Sequence, residues 1–303
     1  MRALVRLTCV AASLLGIGLL CPIAEARPGD LYIGNPGNGN VVRIEHRTKH
    51  QSVVASGGDL VSPDSGAFTR KGRLVIADYN ALGGTGAVFK INVKTGDVKT
   101  LASGGGFKGP TDVAIGRGGI FADDPFAGAG GKGAIFQIAG GTATLVSQGG
   151  LFNGGPLGLA VLPSGKLLTT DQGAGTGGSG SLLKVNPDNS GVQKFVTQDR
   201  KLKDSYGMTL SPNAKVAYVA DDSNNSIVRV KVATGAQRVV AKGTPLDGPT
   251  DVALGLDGKL YAVNDGGVHP KVIKINPKTG DVHVFAKDGK LASPEGITVE
   301  PPR

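Results

Sequence analysis

The sequence has no tryptophan, and aromatic residues make up only 5% of it. It has two cysteines, Cys9 and Cys21, and both fall in an N-terminal stretch that reads as a removable leader. There Arg2 and Arg6 precede the apolar run from Leu7 to Leu20, and Ala24-Glu25-Ala26 follows. A basic start, a short apolar run and small residues before a cut are the grammar of a secretory signal peptide. Fourteen apolar residues are too few for a comfortable transmembrane anchor, so the expectation is cleavage near Ala26 and export to the periplasm or beyond. The mature chain, 27–303, would then hold no cysteine. Disulfides, thiolate zinc sites and a cysteine nucleophile are excluded together. The scarcity of aromatics, with no helix-turn-helix or ribonucleoprotein pattern, argues against a nucleic-acid partner. No segment shows a helical apolar period, so nothing predicts a helical core.

Glycine is abundant, with 50 residues, and so is internal repetition. The phrase GPTDVAI starts at Gly109 and returns as GPTDVAL at Gly248. Weaker copies are SPDSGAF from Ser62, GPLGLAV from Gly155, DSYGMTL from Asp204 and SPEGITV from Ser293. Measured between their prolines, with Ser205 in the fourth place, the steps are 47, 46, 49, 44 and 45 residues. A fixed period of this length marks a repeat architecture. Each unit reads as four short strands: the phrase itself, an alternating strand such as LVIADYN or AYVADDS, a third such as VFKIN, and a fourth after a Lys-Thr-Gly-Asp type turn. This predicts an all-β, six-bladed β-propeller with four antiparallel strands per blade. Residue 29 enters at a second strand and PEGITVEP at the C-terminus is an orphan first strand, so the two termini should share one blade and close the ring. One domain is expected, as a monomer.

The segment SYGMTLSPNAKVAYVADDSNNSIVRVKVATG, Ser205 to Gly235, resembles an NHL repeat. From Gly29 to Glu300 the units are similar to the wider six-bladed group of gluconolactonase/regucalcin-like, strictosidine-synthase-like and virginiamycin-B-lyase-like proteins. The resemblance implies that the loops before each first strand and after each second strand emerge on one face around the central channel. Thirteen of the 23 carboxylates left after Glu25 is removed would gather there: Asp64, Asp78, Asp112, Asp123, Asp124, Asp171, Asp204, Asp221, Asp222, Asp247, Asp251, Asp265 and Glu295. The bases Arg43, Lys90, Lys94, Lys184, Arg229, Lys231, Lys274 and Lys278 would fall on third strands or opposite turns. The mature charge is 31 − 23 = +8, so an acidic mouth would sit on a basic body.

Among these acids, Asp78, Asp123, Asp171 and Asp221, with Asn35 and Asn264, recur once per unit. A residue needed in every blade serves the blade, so a backbone-capping role is expected for them. The positions that break the repeat are more informative. Asp64, Asp112, Tyr206, Asp251 and Glu295 are the candidate ligand-binding residues, and Asp64, Asp112, Asp251 and Glu295 the candidate ligands of calcium or another divalent cation. A turn role shared by Asp112 and Asp251 is an equal reading. If catalysis occurs, Glu295, Asp64 and His269 are its candidates. In the gluconolactonase-like enzymes a Glu, an Asn and an Asp at first-strand starts hold one ion. Here Glu295 can stand for the Glu, but Tyr206 and Thr250 fall where the Asn and Asp would be. The lyase-like relatives use histidine with magnesium, and only His269 lies on the matching face.

The glycine-rich loops from Ala81, Ala127 and Gly173 lack the Gly-Lys-Ser/Thr of a phosphate loop; Lys132 is followed by Gly133. No nucleotide or redox cofactor is expected. The functional reading is an exported protein that binds a small molecule, glycan or protein on its acid-lined face, with a metal-dependent hydrolase or lyase as the alternative.

Overall fold

The computed structural model describes residues 27–188, 191–264 and 269–302. The leader, with its expected cleavage site near Ala26, and Asp265 lie outside the described residues. Among the described residues, twenty-four strands form six separate four-stranded antiparallel sheets. Blade 1 comprises Gly296–Val299, Leu31–Asn35, Asn40–Ile44 and Gln51–Ser56, from channel to rim. Its innermost strand comes from the C-terminus and the rest from the N-terminus, as the orphan strand predicts. Leu31 pairs with Val299, Tyr32 with Thr298, Ile33 with Ile297 and Gly34 with Gly296. Further bonds clamp this junction: Tyr32 Oη donates to Glu300 at 3.0 Å, and Gly29 N and Glu300 N donate to Glu300 O and Asp30 O, both at 2.9 Å.

The other blades follow in chain order. Blade 2 begins at Pro63–Phe68, blade 3 at Val113–Gly116, blade 4 at Pro156–Val161, blade 5 at Ser205–Leu210 and blade 6 at Pro249–Leu254. Strand alternation sends successive side chains to opposite sheet faces, so each blade buries one apolar set against each neighbour. Six apolar clusters result. Tyr32 and Val41 of blade 1 pack with Leu74, Ile76 and Phe89 of blade 2, and Leu31, Ile33 and Val42 pack with Tyr261, Val263 and Val272 of blade 6. The core is therefore a set of layers between blades.

The register of third and fourth strands slips once in every blade, between Val41 and Val42 in the first and between Val272 and Ile273 in the last. Such a bulge bends the strand and increases its local twist. The three glycine-rich loops each wind through one short helical turn, Ala81–Gly84, Ala129–Gly131 and Thr176–Gly178, between second and third strands. No helix among the described residues is long and apolar enough to cross a membrane.

Candidate functional site

One acid or amide per blade is taken up by the backbone. Asp78 accepts the N–H groups of Val61, Ser62 and Asn80 at 2.7–3.3 Å, and Asp171 those of Asn153, Gly154 and Gly173. Asp221 takes Lys203 and Asn224, and Asn35 accepts Ala292 and Ser293. Each thus ties the end of a second strand to the loop entering the same blade's first strand. Burial raises the Asp78, Asp171 and Asp221 carboxyls, and the amides counter it.

Blade 3 corrects the expectation. Its capping acid is Asp124, which accepts Lys108, Gly109, Phe126 and Ala127. Asp123 is one place earlier, where the other blades carry Gly34, Ala77, Thr170, Ala220 and Val263. In the run Ala122-Asp123-Asp124-Pro125 the two acids cannot be told apart by spacing, and a shift of one residue moves a side chain to the other sheet face. Asp123 is fully buried. Its Oδ1 accepts Thr111 Oγ1 at 2.9 Å and Asp112 N at 2.7 Å, while Oδ2 has no partner among the described residues. Burial and the neighbouring Asp112 push its carboxyl well above the ordinary range.

The twin phrases prove to be latches between blades. Asp112 accepts its own successor, Val113 N, at 2.7 Å and Leu159 N of blade 4 at 2.8 Å. Asp251 repeats this with Val252 N at 2.7 Å and Ile297 N of blade 1 at 2.9 Å. Each carboxylate therefore bonds one inner strand to the next, which the shared-turn reading only approximates. Ser65 Oγ lies between them across the channel, donating to Asp251 Oδ2 at 2.9 Å and hydrogen-bonded to Asp112. Close packing around the axis requires Gly207, where a Cβ would lie 2.1 Å from Asp251 Oδ1. Burial lifts Asp112 to about 7 and Asp251 well above its usual value, the latter helped by Asp112.

Above this plug opens a cavity of about 660 Å³. Of the sequence candidates, Asp64, Tyr206, Asp251 and Glu295 line it. Asp112 does not; it faces a smaller recess, about 330 Å³, at the other end of the channel. His269 also stands outside, an exposed side chain whose Nδ1 meets Asp288 at 3.3 Å. Asp64 is half-buried in the cavity wall: desolvation first, then Glu295, Asp251, Asp112 and Asp123, hold its carboxyl well above the ordinary range. No described residue donates a hydrogen bond to it.

Facing these acids are Tyr79, Phe126, Leu157 and Tyr206, with Gln172 and Asp222 beside them. Burial raises Tyr79 and Tyr206 to about 12, and Glu295 adds to both. Thr250 Oγ1 donates to Glu295 O at 2.9 Å and so fixes that backbone. Among the described residues no lysine, arginine or histidine lines the cavity. Tyr79, Pro125, Gln172 and Asp222 each directly follow a blade's capping acid, a position that the recurrence of the acid itself hides in the sequence. Its variability from blade to blade was the available signal.

A divalent cation does not fit these residues. Among the described residues no three of His, Cys, Asp and Glu come together as a set able to hold one. Asp112 and Asp251 direct their oxygens to amides and Ser65, and Tyr206 and Thr250 supply a phenol and a hydroxyl in place of strong oxygen ligands.

No protein-family model matches the sequence, and no curated protein sequence matches it. Solved structures do match. A chain of a nidogen/laminin complex superposes with a TM-score of 0.69 at 16% identity, covering 89% of this chain and 98% of that one. A protein provisionally assigned as a gluconolactonase superposes with a TM-score of 0.60 at 15% identity, covering 78% and 81%. At such identities the likeness is one of architecture. What this chain shares with both is the six-bladed β-propeller fold.

Proposed function

We propose that this is an exported propeller that binds a small organic cation, an ammonium group carried on an apolar body, in the mouth cavity. The observation that carries the reading is the division of the cavity wall. Asp64, Asp251 and Glu295 lie on three consecutive blades, 2, 6 and 1 around the ring, and aromatic rings complete the wall with no base among the described residues. A volume of about 660 Å³ suits a small molecule. Desolvated carboxylates attract a positive charge more strongly than solvated ones do, and the faces of Tyr79, Phe126 and Tyr206 favour a cation by their quadrupoles. An anion would meet only like charge. Raised carboxyl pKa values couple binding to protons: a bound ammonium must displace those that Asp64 and its neighbours hold.

Calorimetry with benzylamine, choline and spermidine against neutral isosteres such as benzyl alcohol tests this. The amines should bind, weaken as pH falls, release protons on binding, and lose about tenfold or more in affinity in Asp64→Asn or Glu295→Gln. Equal binding of charged and neutral probes, or silence from every amine, would overturn it. Turnover of a lactone panel that requires a divalent ion and Glu295 would replace it with the hydrolase reading.

A further inference from the structure

The basic strands on the far side of the molecule are not a uniform solvated surface. At one register every blade but the third places a base on its third strand: Arg43, Lys90, Lys184, Arg229 and Lys274, with Gln137 in blade 3. Two are neutralised within the protein. Arg43 is buried against Asp30 at 2.6 Å, and Lys274 meets Asp257 at 2.8 Å. Blades 2, 4 and 5 instead place a second base directly opposite on the outer strand: Lys99 against Lys90, Lys194 against Lys184, and Arg238 against Arg229. Like charges directly opposed across strands oppose sheet formation.

Blade 5 goes further. Its row begins with an aromatic residue, since Tyr218 pairs with Arg229, where blades 2 and 4 have Val75 and Leu168. The row Tyr218, Arg229, Arg238 forms one wall of a cleft of about 790 Å³ between blades 5 and 6. Pro212, Leu256, Pro277 and Lys278 form much of the remainder. Arg238 Nη2 donates to Pro277 O at 3.3 Å, which holds its guanidinium over the cleft. Among the described residues no acid lines it. Asp257, in the blade 6 turn at its edge, directs its carboxylate to Lys274 and Tyr261 on the other side. The comparable row of blade 2 opens only into a recess of about 260 Å³ that contains Asp97.

We infer that this cleft is a second binding site, independent of the mouth, for a linear acidic polysaccharide bearing carboxylates. Neighbouring strands are about 4.8 Å apart, so the row offers a ring face and then two guanidinium forks at short, even steps along a line. Guanidinium forks match carboxylates by bidentate hydrogen bonds, and the C–H face of a sugar ring packs on Tyr218 and Leu256. The recess disfavours a flat anionic bilayer, which would reach protruding bases first. A single aromatic is too little for a single-stranded nucleic acid, which stacks successive bases. An acidic peptide that docks by strand addition needs an open backbone edge; the free edge of this sheet is the outer side of Gln237–Lys242, whereas the wall here is a row of side chains running across three strands.

The test is calorimetry with a galacturonic acid tetramer, its methyl ester, a glutamate tetramer and a deoxythymidine tetranucleotide, on the wild-type chain and on two double variants of equal charge. Arg229→Gln with Arg238→Gln should weaken the uronate by about tenfold or more, and Lys90→Gln with Lys99→Gln by less than about threefold, the loss that general screening of charge would cause. Lys278→Gln gives a milder loss, and the methyl ester does not bind. Both double variants remove a repulsion, so their thermal midpoints should not fall. Absence of uronate binding, equal loss in the two double variants, or tighter binding of the peptide or oligonucleotide would overturn the inference.

Discussion

Asp124 and Asp64 are both acids of one propeller face, and their surroundings are opposite. Asp124 receives four backbone N–H groups; Asp64 receives no hydrogen bond from any described residue and lies instead in the field of Glu295, Asp251, Asp112 and Asp123. One carboxylate holds a loop in place. The other is half-buried at the cavity wall among like charges and left available. Asp112 and Asp251 fall between, since they stitch blades together yet share the electrostatic strain of the channel. The comparison teaches that an acid's role in this ring depends on how many amides reach it, which its recurrence in sequence only partly foretells.

The largest expected effect is at the capping acid. Asp124→Ala strands up to four amides and should destabilise the fold by about 3 kcal/mol or more in urea titration; a loss below about 1 kcal/mol would erase the distinction between the two acids. Asp251→Ala comes next. It removes the partner of Ile297 N and should cost about 1–3 kcal/mol, with Asp112→Ala similar through Leu159 N.

Asp64→Asn should act in the other direction. A carboxyl whose folded pKa is raised holds its proton more tightly in the native state, so its contribution to stability is full at acid pH. That contribution drains away as pH rises toward and through the folded value, which burial and the neighbouring acids raise well above the ordinary range. The variant should therefore match wild type near pH 4 and exceed it near pH 8, by about 1.4 kcal/mol for every tenfold excess in proton affinity that the substitution removes. Thermal midpoints across that range decide it, and a variant less stable than wild type at pH 8 would show that Asp64 is structural. The smallest effect belongs to His269→Ala. Because the side chain is exposed and lies outside the cavity, stability should stay within about 0.5 kcal/mol and amine binding should not change.

Spacing alone made much of the ring legible. Six near-equal steps set the blade count, and an orphan strand at one end with a headless unit at the other foretold the closure that Leu31 and Val299 now make. The bases on third strands were legible in the same way, whereas the gathering of acids on one face was only what the resemblance implied, and Asp112 departs from it. The site was less so. Asp123 and Asp124 are adjacent, and only strand register reveals that the second caps the blade while the first is buried between blades. Asp112 matched Asp251 in phrase, yet one faces the far recess and the other reaches the mouth as well.

The sequence by itself determined how many sheets there are and how they close, because a period is a property of the chain. Tertiary structure alone decided which of the acids outside the repeat are satisfied. Leu159 N and Ile297 N of the next blades reach Asp112 and Asp251 and no described amide reaches Asp64, and those distances arise only when sheets separated by a whole repeat are packed around a common axis.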